Sequence, residues 1–282
     1  MRAKPAIPVA GVPMIRRIIA RLGARGVTDL VINLHHRPET LTRLVGDGGD
    51  LGVRVRYSWE QPRVLGSAGG PRLALPLLAA DPLLIVNGDT LTDVDVDALE
   101  RAHAASGALV TLALVPNLEF DRYGGVVLDA DGRVTGFVPR GAAARGSFHF
   151  IGVQLANRRV FEALAPGEPA GTIGGLNDAL IARSPDAVRG LVCETEFWDV
   201  GTVADYWRMS DAFGAREPGT ATPQGRGTRI HPTAQIRHSI VWDDVEVGAG
   251  ATLDDCIVTD GVRVPAGARL RGEVLIDRAA DR

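Results

Sequence analysis

Between residues 230 and 276 the apolar side chains keep a spacing that few folds can use. Ile230, Ile236, Val241, Val247, Leu253, Val258, Val264, Leu270 and Ile276 follow one another at six residues, with two five-residue slips. A helix would return them every third or fourth position, and a half-buried strand every second. Gly248, Gly250, Gly261 and Gly267 fall at the turns between them. A sustained hexapeptide period marks a left-handed parallel β-helix, in which each hexapeptide forms one side of a triangular coil. An ordinary β-meander is the competing reading, but it gives no reason for so regular a beat. A stack this short exposes a terminal coil with unpaired backbone groups, which favours a homo-oligomer.

Upstream of the tail the pattern changes. Residues 213–229 hold Gly, Pro, Thr and Arg with little periodicity and read as a linker. The domain reading is therefore 1–212, a linker at 213–229, and the β-helix at 230–278. In the first domain Pro13 opens a helix with Ile15, Ile18, Ile19 and Leu22 on one face, closed by Gly26. Strand-like segments at 29–34, 53–58, 82–86 and 108–115 alternate with helix-like segments at 38–45, 71–80 and 96–106. That alternation predicts an α/β domain with a mainly parallel sheet. From Tyr123 onward, two short strands flank an Asp131-Gly132 turn, a hairpin signal. A strand at IGVQLA and a helix at RRVFEAL follow.

Bulk properties exclude several classes. A net charge of −3 provides no basic field for nucleic acid. Cys193 and Cys256 are too few and too far apart for a disulfide framework or a zinc cluster, and read as buried thiols suited to a reducing cytoplasm. No apolar run reaches membrane-spanning length. Pro5, Pro8 and Pro13 interrupt any signal-peptide core near the start.

Four segments carry candidate chemistry. Asp89 follows an apolar strand and an Asn-Gly turn, at the carboxyl end of a strand, where ligands bind in open α/β sheets. A carboxylate there can hold Mg²⁺ against phosphate oxygens; a plain turn-forming Asp is the competing reading. Asp199, in FWDVGT, supplies a second carboxylate, and two on one Mg²⁺ suit phosphoryl transfer. Alternatively, Asp199 or Thr202 caps the helix through Tyr206 and Trp207. The Leu65-Gly66-Ser67-Ala68-Gly69-Gly70 loop precedes a helix, so a base or phosphate can approach its backbone and helix amides can bind an anion; a simple turn fits equally. Lys4 is a cation between prolines in an extended segment, which by itself reads as a flexible terminus.

Together and in this order the segments resemble the sugar-phosphate nucleotidyltransferases, or NDP-sugar pyrophosphorylases. KPAIPVAGVPMI is similar to that family's Pro-Lys-Pro segment, LGSAGG to its Leu-Gly-Thr-Ala turn and VNGD to its metal-binding Gly-Asp. Tyr123-Gly124 resembles its sugar-site pair, and WDVGT its Asp-Ile-Gly-Thr motif. The hexapeptide tail matches the longer members, and the wording of the N-terminal half is similar to small bacterial uridylyl- and guanylyltransferases. The resemblance implies a Rossmann-like nucleotidyltransferase domain followed by the β-helix, an NTP and a sugar-1-phosphate as substrates, and Mg²⁺ as cofactor. It assigns Lys4, Asp89 and Asp199 to catalysis, with Asp89 and Asp199 on the metal. Gly66, Ser67, Gly69 and Asp89 would bind the nucleotide; Tyr123, Gly124, Arg140 and Gly152 would surround the sugar phosphate.

Two departures accompany the resemblance. The family opens with an apolar strand and a Gly-x-Gly-x-Arg loop just upstream of Pro-Lys-Pro, whereas Lys4 lies three residues from Met1. Where the family has Glu-Lys-Pro, this chain has Pro139-Arg140-Gly141, keeping a cation but not the hydroxyl-binding carboxylate. The alternatives are a non-catalytic sugar-nucleotide-binding scaffold and, more remotely, a β-helix acyltransferase whose histidines would be His231 and His238. The first departure carries an expectation about the sheet. The family's first strand lies between those matching 30–34 and 83–86. Without it these should stand about 10 Å apart with a strand-wide gap, or close to about 5 Å and pair directly, because neighbouring strands lie about 4.8 Å apart.

Overall fold

The computed structural model describes residues 2–217 and 225–277. Two compact units emerge, one of residues 18–199 and one of residues 1–17 with 200–282. The elements along the chain are β1 (Pro8–Val9), β2 (Val12–Pro13), α1 (Met14–Ala24), β3 (Asp29–Leu34), α2 (Pro38–Val45), β4 (Arg54–Trp59) and α3 (Gly66–Ala74). Then come β5 (Leu83–Val86), β6 (Thr90–Thr92), α4 (Val96–Ser106), β7 (Val110–Pro116), β8 (Gly125–Leu128), β9 (Val134–Val138) and β10 (Phe148–Ala156). The series continues with α5 (Arg158–Glu162), α6 (Asn177–Arg183), β11 (Val188–Val192), β12 (Phe197–Asp199) and α7 (Val203–Arg216). Most elements fall where the hydrophobic period puts them.

The 18–199 unit is built on a six-stranded sheet. β7 lies between β10 and β11, β5 pairs with the other edge of β10, and the β8–β9 hairpin extends the sheet from β10. β5, β7 and β11 share one direction, and β10 runs antiparallel to β5 and β7. β7 shows why its segment is almost wholly apolar: its first six residues are all buried. Val110, Leu112 and Leu114 pack with Phe161 and Val188 on one face. Ala113 and Val115 pack with Leu99, Ile151 and Leu155 on the other, as expected of a strand covered on both sides.

β3 pairs in parallel with β4 alone, and β5 pairs with β10 alone. The direct pairing of β3 with β5, one of the two arrangements expected, does not occur: the two strands belong to separate sheets. Among the described residues no strand is bonded to the second edge of either one.

The helix expected at 71–80 begins earlier, as α3 at Gly66, and ends at Ala74. The glycine-rich segment is thus the first turn of the helix rather than a loop before it. The cause is tertiary. Ala170 O accepts from Ala68 N at 2.9 Å and Gly69 N at 3.2 Å, satisfying amides that otherwise have no partner at a helix start.

In the other unit α7 runs through Arg216, so residues 213–216 of the segment read as linker are helical. Residues 218–224 of that segment lie outside the described residues. The tail forms three faces of three parallel strands. β13 (Arg229–Ile230), β16 (Glu246–Val247) and β19 (Arg263–Val264) make the first, and β14 (Gln235–Arg237), β17 (Thr252–Asp254) and β20 (Arg269–Arg271) the second. β15 (Ile240–Val241), β18 (Ile257–Val258) and β21 (Val274–Leu275) make the third. Each strand pairs with the one 17 residues on: Ile230 with Val247, Ile236 with Leu253, Val241 with Val258. The coil is therefore six, six and five, and the five-residue slip recurs in every coil. This corrects the last position of the series. Val258 pairs with Leu275, which packs against the coil's core, while Ile276 is 41% exposed.

The corrected register has a measurable consequence. Leu253 is fully buried, so Leu253→Ala should cost about 2–5 kcal/mol in equilibrium denaturation. Ile276→Ala should stay within about 0.5 kcal/mol, as surface changes do. Comparable losses from the two would contradict the register.

Candidate active site

One antiparallel pair sets the backbones that carry the two candidate metal carboxylates next to each other. β6 pairs with β12 in the register Thr92–Phe197, Leu91–Trp198, Thr90–Asp199. Asp89, 110 positions earlier in the sequence than Asp199, is thus the neighbour of the residue opposite it. Both side chains are half-buried. The capping alternative for Asp199 falls to Thr202, whose hydroxyl accepts from Asp205 N at 3.1 Å while Asp205 Oδ2 accepts from Thr202 N at 2.8 Å. That reciprocal capping box starts α7 and leaves Asp199 out of it.

Asp199 is gripped from one side. Its Oδ1 accepts from the Tyr123 hydroxyl at 2.7 Å and from Arg122 Nη2 at 2.8 Å. The Arg122 guanidinium also lies over the Tyr123 ring, 4.8 Å from its centroid. His149 on β10 packs between Tyr123 and Phe197, with ring centroids 4.1 and 5.0 Å away. Burial raises the Tyr123 phenol far above its usual value, reinforced by the bond to Asp199, so it remains a donor. Burial also holds the His149 imidazole below its usual value, against the opposing pull of the Asp199 carboxylate. Arg122 and His149 were not legible in the sequence. Arg122 is simply the residue before Tyr123, and His149 one position in a strand; only the sheet sets them around Asp199.

The far end of this region depends on a glycine. β10 carries a bulge between Phe150 and Gln154, and Gly152 sits in it at φ +78°. Its carbonyl accepts from Asn87 N at 2.8 Å, fixing the start of the Asn87-Gly88-Asp89 turn. A β-carbon at Gly152 would lie 2.8 Å from the Asn87 side chain, so both space and backbone angle require glycine.

The small residues of α3 serve the protein's own chain. Gly66 and Gly69 face the 168–170 segment, where a β-carbon on Gly69 would stand 2.6 Å from Glu168 O. The Ser67 hydroxyl lies 2.9 Å from Thr172 Oγ1 and accepts from Thr172 N. Buried Glu60 joins the helix start to β3: its carboxylate accepts from Leu65 N at 2.6 Å and Asn33 Nδ2 at 3.0 Å. Ala68 and Gly69 amides are committed to Ala170, so anion binding by these two amides does not follow.

Gly124 lies against the backbone of β9 and Arg140: a β-carbon there would be 3.1 Å from Val138 O and 3.9 Å from Arg140 N. The Arg140 side chain is exposed. The guanidinium found on Asp199 is that of Arg122. Lys4 lies in the other unit, exposed in the 3-10 turn Lys4–Ala6. It is the one lysine in a chain with 31 Lys and Arg residues. Among the described residues no three His, Cys, Asp or Glu side chains cluster as a complete metal cage. Mg²⁺ asks for less, because it commonly takes one or two carboxylates plus substrate phosphates and water. Both bonds to Asp199 land on Oδ1, so Oδ2 is left to a cation and the donor set fits.

Comparison with known proteins shows the family. Residues 1–215 match the nucleotidyl transferase family, and residues 224–281 match the GlmU-like C-terminal hexapeptide. The chain belongs to the nucleotidyl transferase family. This transferase is 28% identical over 273 residues to mannose-1-phosphate guanylyltransferase of Mycobacterium tuberculosis, covering 94% of this chain and 76% of the relative. It is 34% identical over 169 residues to N-acetylmuramate alpha-1-phosphate uridylyltransferase of Neisseria meningitidis, covering 59% of this chain and 71% of that protein. The crystal structure of HddC from Yersinia pseudotuberculosis superposes with a TM-score of 0.64 at 19% identity, covering 74% of this chain and 89% of that one, and shares the fold. With the hexapeptide match, the three-faced tail is the left-handed parallel β-helix expected. Among the described residues no helix is long and apolar enough to cross a membrane.

The environment of His149 can be titrated. By NMR of its ring, the midpoint should lie below about 6.5, the ordinary value, and fall further in Asp199→Asn, which removes the carboxylate favouring the imidazolium. The unfolded chain accepts this proton more readily than the folded one. The His149 contribution to stability is therefore complete above about pH 6.5 and declines as pH drops below it. A wild-type midpoint above the ordinary value would contradict the packing described.

Proposed function

We propose that this transferase joins a nucleoside triphosphate to a sugar-1-phosphate, releasing pyrophosphate, in a guanylyl- or uridylyl-type reaction. The observation that carries the reading is the β6–β12 register, which sets Asp89 beside the position opposite Asp199, with Tyr123 and Arg122 bonded to Asp199. An ionised sugar-phosphate oxygen forms the new bond to the α-phosphorus, and the bond from that phosphorus to the pyrophosphate oxygen breaks. The nucleophile carries its own charge, so the protein needs no nucleophilic residue. Its contribution is alignment and charge neutralisation.

Asp89 and Asp199 would hold Mg²⁺, which when bound supplies Lewis-acid neutralisation of the nucleotide phosphates. Tyr123 and Arg122 fix the Asp199 carboxylate, and the protonated phenol keeps Oδ1 engaged. Gly66 and Ser67, both exposed, frame the base by shape, while buried Gly69 serves only the packing of the 168–170 segment, and Lys4 contacts phosphate. Arg140, with Tyr123, Gly124 and Gly152, is assigned to the sugar phosphate. We place the enzyme in the cytoplasm, where both substrates are made and where free Cys193 and Cys256 stay reduced. A homo-oligomer formed through the β-helix is part of the same proposal.

The test is a panel of nucleoside triphosphates against sugar-1-phosphates, read by pyrophosphate release. One pair should be preferred, and Asp89→Asn and Asp199→Asn should each lower its kcat/KM by about a hundredfold or more. Activity undiminished in both variants would remove the two-carboxylate assignment. Nucleotide binding without pyrophosphate release from any pair would return the protein to the scaffold reading.

A further inference from the structure

The N-terminal segment that carries Lys4 falls in the same compact unit as the β-helix. One buried side chain ties them together. Arg2, 7% exposed, donates from Nε and Nη2 to the two oxygens of Asp260 at 2.8 and 2.7 Å, and from Nη2 to Asp243 Oδ2 at 2.6 Å. Its Nη1 donates to Ala6 O at 3.2 Å. Its guanidinium carbon stands 5.3 Å from the centroid of the Trp242 ring. Ala6 ends the turn that begins at Lys4. The group that grips the β-helix therefore also closes the turn displaying the lysine.

The coil dictates where the acceptors stand. Asp243 and Asp260 are 17 positions apart, one full coil, like Val241 and Val258 beside them. Adjacent coils stack like strands of a sheet, roughly 4.8 Å apart, so two carboxylates at equivalent positions repel unless a cation bridges them. Arg2 is that bridge, and its planar fork meets Asp260 at both oxygens, as an ammonium could not. The other end of the segment is held too. Tyr206 donates to Pro8 O at 2.6 Å and receives a bond from Trp242 Nε1 at 3.0 Å. Arg17 donates to Val9 O at 2.8 Å while paired with Glu217.

We propose that Arg2 is a positioning residue: through the Asp243–Arg2–Asp260 clamp the β-helix fixes the turn that presents Lys4 to phosphate. The hexapeptide tail thereby takes part in phosphate handling as well as in assembly. The inference rests on the reading of Lys4 as a phosphate contact, and two separate measurements keep them apart.

The first is backbone amide exchange in the full chain for wild type, Arg2→Ala, Arg2→Lys and Asp260→Asn. The reporters are Ala6 and Ile7, whose amides bond to Ala3 O and Lys4 O. Arg2→Ala should accelerate their exchange by about tenfold or more without changing the amides of β7, as a local opening does. Asp260→Asn should do so less, and Arg2→Lys should recover part of the protection. The second is acetylation of Lys4, the one lysine side chain, with and without GTP or UTP and Mg²⁺. Nucleotide should shield Lys4 in wild type, and Arg2→Ala should raise the nucleotide concentration needed by about tenfold, with a larger change in KM than in kcat. Unchanged exchange at Ala6 and Ile7 overturns the clamp. Loosened exchange with undiminished shielding overturns the positioning role. Wild-type Lys4 left unshielded by either nucleotide overturns the phosphate reading and, with it, the functional part of this inference, while exchange still decides the clamp.

Discussion

The pairing of β6 with β12 is the constraint on which the candidate site depends. Only three register positions are involved, Thr92–Phe197, Leu91–Trp198 and Thr90–Asp199. They connect two segments more than a hundred residues apart, and antiparallel geometry leaves no freedom in which residues face each other. A slip of one residue would turn Asp199 and Phe197 to the other face of the strand pair. Asp199 would then lose Tyr123 and Arg122, and His149 would lose the Phe197 ring. Carboxylate, phenol, guanidinium and imidazole meet because one short ladder holds Asp199 and Phe197 against Arg122, Tyr123 and the His149 ring of β10.

The small residues divide into two kinds of work. Gly152 makes room for Asn87 and takes a backbone angle that other residues avoid, so it shapes the turn ahead of Asp89. Gly66 and Gly69 let the 168–170 segment lie against the start of α3, and Ala170 O takes the amides that a helix start leaves over. A glycine-rich stretch thus need not open its amides to a ligand. Here its tight packing is inward, and the side it offers outward is that of Gly66 and Ser67, both exposed.

In the tail, the 17-residue coil has consequences beyond its core. Every residue stands above its equivalent 17 positions earlier, so any charge that recurs at that interval is stacked on itself. Asp243 and Asp260 recur in this way, and Arg2 bridges the pair. Arg229 with Glu246, and Arg271 with Asp254, are likewise paired across one coil. The same repetition that builds the apolar interior also decides which surface charges must find partners.

How much of this was legible in the sequence follows from the range of each interaction. Hydrophobic period and turn residues act over a few positions, so the chain by itself determined the strands at 29–34 and 83–86, the helix at 38–45, the Asp131-Gly132 hairpin and the hexapeptide tail. Motif order by itself carries the resemblance to the family. The third slip of the coil, which exchanges Ile276 for Leu275, was hidden because both are apolar and only pairing with Val258 distinguishes them. The early start of α3 was hidden because its cap comes from Ala170, a hundred positions on. Arg122, His149 and Arg2 carry no local signal at all: a charge or ring acquires a role only from what the fold sets beside it. Short-range periodicity wrote the elements into the sequence; register across β6–β12 and stacking between coils, both contacts between residues distant in the chain, were decided by the tertiary structure.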